Sequence, residues 1–197
     1  MFKPNFHYTH KIVNNLTAIA KARAVILNAP LIPKWEVSLR REALLRSAHS
    51  STAIEGNPLT LEQVSELAAG RDIMVRRKDK KEVLNYLEAL EKIPEFAERK
   101  PFKFSDLLKL HKLITRDTLE NPADEGSLRN QQVAVVNGAT GQIIFMPPPT
   151  DRVGALVEEF LEWFNSEEVN EIDPVIEAGL AHYELVRIHP FVDGNGR

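Results

Sequence analysis

The chain has 197 residues, and its 43% hydrophobic and 27% charged residues are typical of a globular protein with one domain, or one domain with an appended segment. Its net charge of −3 argues against a general nucleic-acid binder, which usually has a basic domain. The sequence contains no cysteine, which excludes disulfides and cysteine-based metal or nucleophile sites. It has no apolar run of about 20 residues and no signal-peptide core at its start, so we expect a cytoplasmic protein without a membrane partner.

Hydrophobic residues recur at steps of three and four along most of the chain, which predicts a largely helical protein. The first predicted helix covers residues 10–28, with Thr9 as its cap, and the second runs from about Trp35 to the Gly56 region. Five more helices are predicted at 60–70, from about 83 to just before Pro94, at 105–118 with Ser105 as the cap, from 150 to about 164, and from Asp173 to 188.

Residues 131–147 have a different pattern. Two β-rich runs, 133–136 and 143–145, flank the glycine-containing turn 137–141, which predicts a β-hairpin. Because an isolated hairpin is only marginally stable, we expect it to lie against the helical body. The predicted fold class is therefore all-α with one β-hairpin insertion.

A basic stretch lies between positions 71 and 82. Its basic residues are Arg71, Arg76, Arg77, Lys78, Lys80 and Lys81. Three acidic residues, Asp72, Asp79 and Glu82, are interleaved with them, so we interpret the stretch as a solvated loop and helix start rather than a nucleic-acid surface.

The last nine residues, 189–197, combine several groups suited to handling a phosphate. His189 is a candidate base at neutral pH, and Asp193 is a hard oxygen ligand of the kind that holds Mg²⁺ together with substrate phosphates. Gly194 and Gly196 can turn backbone amides toward an anion, and Arg197 adds a planar cation.

Two other residues of this stretch have structural or backbone roles in our interpretation. Phe191 is its single large apolar residue, and we expect it to anchor the loop in the core. Asn195 stands between the two glycines and would offer its backbone amide to the same anion. A bare Asp-Gly-Asn-Gly is more often a surface turn, and we interpret the other five histidines as surface or packing residues. Five constrained positions in one uninterrupted string favour the functional interpretation.

Residues 189–197 also resemble the active-site signature of the Fic family, HPFx(D/E)GN(G/K)R, at every fixed position. Residues 178–188 resemble the helix that leads into that signature, residues 126–129 resemble a landmark ahead of the family's flap, and the hairpin at 133–147 is similar in position to the flap. The resemblance implies a Fic-like helical bundle whose hairpin aligns a target segment beside the active site.

The resemblance implies a reaction, the transfer of AMP from ATP to a hydroxyl side chain of a target protein. By this likeness His189 would accept the hydroxyl proton and Asp193 would hold Mg²⁺. The amides of residues 194–196 would cradle the phosphates and Arg197 would neutralise their charge. The target would dock on the flap through Val135, Ile143, Ile144 and Phe145.

A second string, Ser51 to Asn57, resembles the family's inhibitory motif (S/T)xxxE(G/N), with Ser51, Glu55 and Gly56 at its fixed positions. Ser51 and Glu55 are four residues apart and share one helical face. In the family the glutamate pairs with a second motif arginine and prevents productive nucleotide binding. We therefore divide the chain into an inhibitory helical segment, residues 1–58, and a Fic core, residues 59–197.

The family signature continues to a second arginine three positions beyond Arg197, where this sequence has no residue. We accordingly expect a fragment with an incomplete core, with Glu55 lacking its partner and with weak or no catalysis. Alternatives to AMP transfer are AMP removal, phosphotransfer by the same site, and a non-catalytic module that binds a nucleotide or adds a peptide to the hairpin. A homo-oligomer is also compatible with the sequence.

Overall fold

The computed structural model of the chain describes residues 2–29, 33–98 and 100–197. It confirms the prediction of a helical protein with one hairpin. The helices are α1 (His10–Asn28), α2 (Pro33–Ile54), α3 (Leu61–Ala68), α4 (Arg77–Ala97), α5 (Phe104–Thr115), α6 (Val153–Phe164) and α7 (Pro174–Ile188). Short 3-10 turns at Pro122–Asp124, Thr150–Arg152 and Glu167–Glu171 connect them. Within the described residues, none of these helices is long and apolar enough to cross a membrane.

Side-chain caps begin several helices where the sequence predicts them. Thr9 accepts a hydrogen bond from the Ile12 amide at 3.2 Å, and Asp173 accepts one from the Val175 amide at 2.9 Å before Pro174. Thr60 and Gln63 form a reciprocal capping box at the start of α3. Several predicted boundaries are wrong, among them the start of α4, which is Arg77 rather than about 83, and the end of α5, which is Thr115 rather than 118. Helix α4 continues through Pro94 to Ala97, so this proline lies inside the helix near its end rather than after it.

The predicted cap of α5 is also wrong. The helix starts at Phe104, and Ser105 lies inside its first turn. The carboxylate of Asp106 reaches back instead and accepts a hydrogen bond from the Lys103 amide at 3.1 Å. The acidic side chain within the first turn therefore satisfies an otherwise unpaired amide, as expected at the positive end of a helix.

The helices enclose two hydrophobic clusters. One lies between α2, α3 and α4 and includes Leu45, Val64 and Val83. The other lies between α5, α6 and α7 and includes Phe160 and Trp163. Helices α4 and α5 pack against each other and so join the two clusters. Residues 189–197, which follow α7, form the motif loop. This loop and the end of α2 both lie near this junction, as the contacts below show.

The hairpin consists of β1 (Val135–Val136) and β2 (Ile143–Phe145), which pair antiparallel with Val135 opposite Phe145. Its turn is closed by Asn137, whose side chain accepts hydrogen bonds from the Ala139 and Thr140 amides. The expectation that it packs on the helical body is wrong, because Ile143 and Ile144 are more than half exposed. A hydrogen bond from Gln132 to the Pro147 carbonyl at 3.0 Å joins the two legs of the hairpin at its base, and Arg129 binds the Pro148 carbonyl just beyond them.

The interpretation of residues 71–82 as solvated is wrong for two of its three acidic residues, Asp79 and Glu82, whereas the side chain of Asp72 is 87% exposed. Asp79 and Glu82 are only 3% and 6% exposed. Asp79 is paired with Arg76 at 2.8 Å, while Glu82 faces the motif loop described below. Asp79 and Glu82 therefore lie on the inward side of α4.

Candidate active-site loop

The candidate base, His189, begins the loop directly after α7. It caps that helix in the left-handed conformation, with φ 51°, and its amide donates to the Leu185 carbonyl at 2.9 Å. Its Nδ1 lies 3.3 Å from the Val186 carbonyl oxygen. Because a carbonyl can only accept, Nδ1 carries the proton and the Nε2 lone pair is left free. Burial lowers the pKa of His189 below its ordinary value, which favours the neutral, proton-accepting form at pH 7.

The loop is closed by one side chain and anchored by another. The Asn195 amide group donates to the Phe191 carbonyl and accepts from the Phe191 amide, both at 2.9 Å. Phe191 is 5% exposed, belongs to the α5–α6–α7 cluster, and stacks on the ring of His111 with centroids 3.6 Å apart. The Asn195 side chain is therefore occupied with holding the loop's own shape.

Gly194 brings the loop backbone against α5. Its φ is 82°, and a Cβ built there would lie 2.9 Å from Cγ2 of Thr115 and 3.3 Å from Nε2 of His111. Only glycine meets both the conformational and the steric requirement. The Gly194 amide donates to Oδ1 of Asp193 at 2.6 Å.

The predicted inhibitory residue Glu55 reaches the same loop from the end of α2. Its Oε1 accepts a hydrogen bond from the Gly196 amide at 2.5 Å, and its Oε2 lies 2.9 Å from Nε of Arg197. Glu55 thus pairs with the first motif arginine, Arg197, whereas the partner that it is expected to lack is the second motif arginine, so that expectation stays a prediction. The loop turns its last amide and its arginine toward α2, so the carboxylate meets two donors.

Arg197 lies among three carboxylates. Its side chain is 1% exposed, and Glu82 and Asp193 each approach it to 3.2 Å in addition to Glu55. The contact with Asp193 is a hydrogen bond, whereas the contacts with Glu55 and Glu82 are close ion pairs outside hydrogen-bonding geometry. The guanidinium is thus held by the protein itself and not presented to solvent.

Burial raises the pKa of the Glu55 carboxyl, and although Arg197 and the Gly196 amide oppose it, the pKa stays above its ordinary value. Burial acts in the same direction on Asp193. There, Arg197, a hydrogen bond with Glu55 and the Gly194 amide together hold the pKa below its ordinary value. Of the two neighbouring carboxyls, Asp193 is the one that remains ionised more readily.

Asp193 is also the residue that fits a divalent cation. Its side chain is 38% exposed, and the nearest lysine, Lys78, is 3.9 Å away. Among the described residues no cluster of three or more acidic or histidine side chains could hold a metal. One partly exposed carboxylate is enough for an Mg²⁺ ion that is shared with substrate phosphates. Such an ion takes most of its ligands from water and phosphate oxygens.

The remaining motif residues of α2 do not face the loop. Ser51 accepts a hydrogen bond from the hydroxyl of Tyr86 at 2.8 Å, and Gly56, with φ 86°, ends the helix. Asn57, which follows, donates to Glu82 at 2.8 Å and to the Asp79 carbonyl at 3.0 Å. Asn57 and Glu82 thereby fix the end of α2 to α4, a role that sequence reasoning missed because Glu82 was assigned to a solvated face.

Arg129 connects the motif loop to the base of the hairpin. It is 3% exposed, and its guanidinium donates to carbonyl oxygens of His189 at 2.8 Å and Pro148 at 2.6 Å and to the Thr150 hydroxyl at 3.0 Å. Its amide donates to the Pro190 carbonyl at 2.9 Å. The predicted docking residues of the hairpin lie beyond this connection. Of these, Ile143, Ile144 and Phe145 are exposed and Val135 is partly buried.

The chain resembles known proteins along nearly its whole length. Residues 101–197 match the Fic/DOC family. Two curated relatives, both named protein adenylyltransferase Fic, come from Drosophila grimshawi (31% identical over 92% of this chain) and Drosophila mojavensis (35% over 80%). The chain spans 34% and 30% of the length of these two relatives, or about a third.

Solved structures of Fic proteins share the fold. A Fic family protein from Desulfovibrio desulfuricans G20 is 31% identical, with a TM-score of 0.81 over 100% of this chain and 57% of its own. A Fic domain-containing signalling protein from Bacteroides thetaiotaomicron is 27% identical, with a TM-score of 0.78 over 93% of this chain and 68% of its own. The family match, the relatives and the shared fold agree with the motif at 189–197, and the chain belongs to the Fic/DOC family.

Proposed function

We propose that this chain carries the active site of a protein adenylyltransferase, which moves AMP from ATP to a hydroxyl side chain of a target protein, and that Glu55 inhibits it. The names of the curated relatives support the reaction class. The observation that carries the proposal is the contact of the Glu55 carboxylate with the Gly196 amide and the Arg197 guanidinium. These are two groups that a nucleotide phosphate would need.

His189 is the base of the proposed reaction. Its free Nε2 accepts the proton of the target hydroxyl while that oxygen forms a bond to the α-phosphorus of ATP. The bond between the α-phosphorus and the bridging oxygen breaks, and pyrophosphate leaves with that electron pair. The lowered pKa of His189 keeps the imidazole ready to take the proton at neutral pH.

The rest of the loop supplies position and charge, which are the main requirements of phosphoryl-type transfer. Arg197 and the loop amides lie where they can meet phosphate oxygens once Glu55 withdraws. Asp193 is the residue that would hold Mg²⁺, whose charge, when bound, offsets that of the phosphates. The exposed apolar residues of the hairpin would dock the target segment, with backbone pairing along a strand edge.

Inhibition follows from competition between two anions for the same donors. A carboxylate on the Gly196 amide and Arg197 excludes a phosphate from both, and its negative charge repels one nearby. Glu55 is fixed in place because Asn57 and Glu82 hold the end of α2 against α4. The inhibitory contact is therefore made within one chain and needs no partner.

Labelling with ATP that carries its radioactive phosphorus at the α position tests the proposal. With Mg²⁺, the Glu55→Gly variant should label itself or an added target far more than the unchanged chain. Adding His189→Ala should lower that labelling by roughly 10²–10⁴-fold. Glu42→Gly, the same change at an exposed position of α2, is the matched control and should leave labelling low.

The position of the label separates the alternatives. Labelling from γ-labelled ATP instead would indicate phosphotransfer. Release of AMP from a modified target, lost in Glu55→Ala, would indicate AMP removal. Equal α-labelling with and without His189 would contradict the proposal.

A further inference from the structure

His111 lies behind the motif loop and touches both segments that shape the active site. It is on α5 and only 2% exposed. Its Nδ1 accepts a hydrogen bond from the Gly126 amide at 2.9 Å, and its Nε2 lies 2.9 Å from the Asp193 carbonyl oxygen. Both ring nitrogens of one buried side chain are thus occupied by backbone groups of two separate segments.

These two contacts determine where the ring proton lies. The backbone amide of Gly126 can only donate, so Nδ1 must be the unprotonated, accepting nitrogen. The Asp193 carbonyl can only accept, so Nε2 must carry the hydrogen and donate it. The surroundings therefore select the neutral Nε2–H tautomer. Either of the other ring states would place two donors or two acceptors against each other in a buried place.

The ring is fixed on its flat face as well. Phe191 stacks on it at 3.6 Å with only 4° between the ring planes. Gly194 approaches its edge so closely that a Cβ there would lie 3.3 Å from Nε2. The backbone from Phe191 to Gly194 is consequently seated on His111 from two directions.

The second segment, which starts at Gly126, leads to Arg129 and so to His189. Gly126 lies tightly on α5, since a Cβ at this position would come within 2.8 Å of Lys112. Three residues later, Arg129 holds the His189 and Pro190 carbonyls. His111 is thus the side chain on α5 that binds the segment supporting His189 on one edge and the backbone of Asp193 on the other.

We propose that His111 is a positioning residue, which as the neutral Nε2–H tautomer sets the Asp193 backbone and thereby the direction of the Asp193 carboxylate. It does not touch the nucleotide. The cation-holding role of that carboxylate rests on the proposed function, whereas the positioning of the loop does not. Losing the bond to Asp193 should disturb the cation site more than losing the bond to Gly126.

Two substitutions separate the two bonds. In His111→Gln the side-chain amide reaches the place of Nε2, so it can still donate to Asp193 but leaves the Gly126 amide unpaired. In His111→Asn the shorter side chain reaches only the place of Nδ1, so it can accept from Gly126 but leaves the Asp193 carbonyl unpaired. Each variant loses the ring stacking and one of two hydrogen bonds, so similar losses of thermal stability are expected for both.

The experiment has a spectroscopic arm and a kinetic arm. Nitrogen-15 NMR of the whole chain should show His111 protonated at Nε2. The backbone amide signals of Asp193 and Gly194 should stay near their original positions in the Gln variant and move in the Asn variant, with the opposite result at Gly126. In the Glu55→Gly background, the Mg²⁺ concentration for half-maximal labelling should rise about tenfold more for Asn than for Gln.

The outcomes are distinct. A proton on Nδ1, or amide shifts that are the same in both variants, would overturn the positioning role. Equal Mg²⁺ dependence of the two variants, in an enzyme that labels, would overturn the link to the cation site. If Glu55→Gly with His111 intact does not label at all, the proposed function fails, and the NMR arm still decides whether His111 positions the loop.

Discussion

The motif loop is held in two different ways on its two sides. On the inner side, toward α5 and the core, Phe191 is buried, His111 bonds to backbone groups, and the Asn195 side chain closes the loop on itself. On the outer side, toward α2 and α4, Glu55, Glu82 and Arg197 meet as charges. The inner contacts are neutral and suited to a fixed shape. The outer contacts are ionic, and in the proposed function a nucleotide phosphate competes with Glu55 for them.

The largest expected effect comes from breaking the inner side. Phe191→Ala removes a buried aromatic side chain and should lower the free energy of unfolding by about 3–5 kcal/mol. Urea denaturation measures it. The control is Tyr183→Ala, at a residue on α7 that is 66% exposed, which should change the value by less than about 0.5 kcal/mol. A loss below about 1 kcal/mol for Phe191→Ala would show that the inner side does not depend on this anchor.

Next in size is the buried charge on the outer side. Glu82→Gln keeps the shape of the side chain but removes one of three negative charges around Arg197, and should cost about 1–3 kcal/mol of stability. It should also raise labelling above that of the unchanged chain, because Arg197 is held less tightly. Glu42→Gln is the matched control, since Glu42 pairs with Arg46 at the surface. A Glu82→Gln variant with the same stability and the same low labelling as this control would contradict a role for Glu82 in holding Arg197.

The pH dependence of labelling tests the proposed base of the loop, His189. Burial lowers the pKa of His189 below the ordinary histidine pKa of about 6.5. The imidazole therefore stays neutral at pH values where a free histidine would already be protonated. In the Glu55→Gly background, labelling should therefore remain level from pH 8 to below about 6.5. It should then fall tenfold per pH unit once the pH drops below the folded-state pKa. A decline that begins above pH 7 would show that His189 is not the limiting base.

The smallest effect is expected at the rim of the outer side. Lys78 is 53% exposed and lies 3.8 Å from Glu82 and 3.9 Å from Asp193. Lys78→Met should change the free energy of unfolding by no more than about 0.5 kcal/mol, because solvent and salt screen the pair. Urea denaturation at low and high salt checks it. A loss of more than about 1 kcal/mol in the free energy of unfolding that disappears in high salt would show that Lys78 belongs to the charge cluster around Arg197.

The two sides also differ in how far the sequence predicts them. The proposed active-site residues are contiguous in 189–197, and helix periodicity together with the turn residues predicts the all-α fold and the hairpin. The burial of Glu82 was missed, because alternating charges at 71–82 do not reveal which side of α4 faces a distant loop. The pairing of Glu55 with Arg197 was also missed, since it joins residues 142 positions apart and depends on the direction in which the loop turns.

His111 shows another limit of sequence reasoning. A lone histidine on an apolar helix face indicates packing, and it does pack, but its two backbone contacts come from loops that no local pattern connects to α5. The glycines at 126 and 194 are the signal that could have been used. Each allows a backbone to approach α5 more closely than any other residue would permit.

Arg129 gives the molecule a mechanical property. One guanidinium holds the backbone oxygens of His189 and of Pro148, at the foot of the hairpin. The foot of the hairpin and the backbone of His189 are therefore fixed to the same buried side chain. In the proposed function, one side chain thereby connects the foot of the docking hairpin to the backbone of the proposed base, His189.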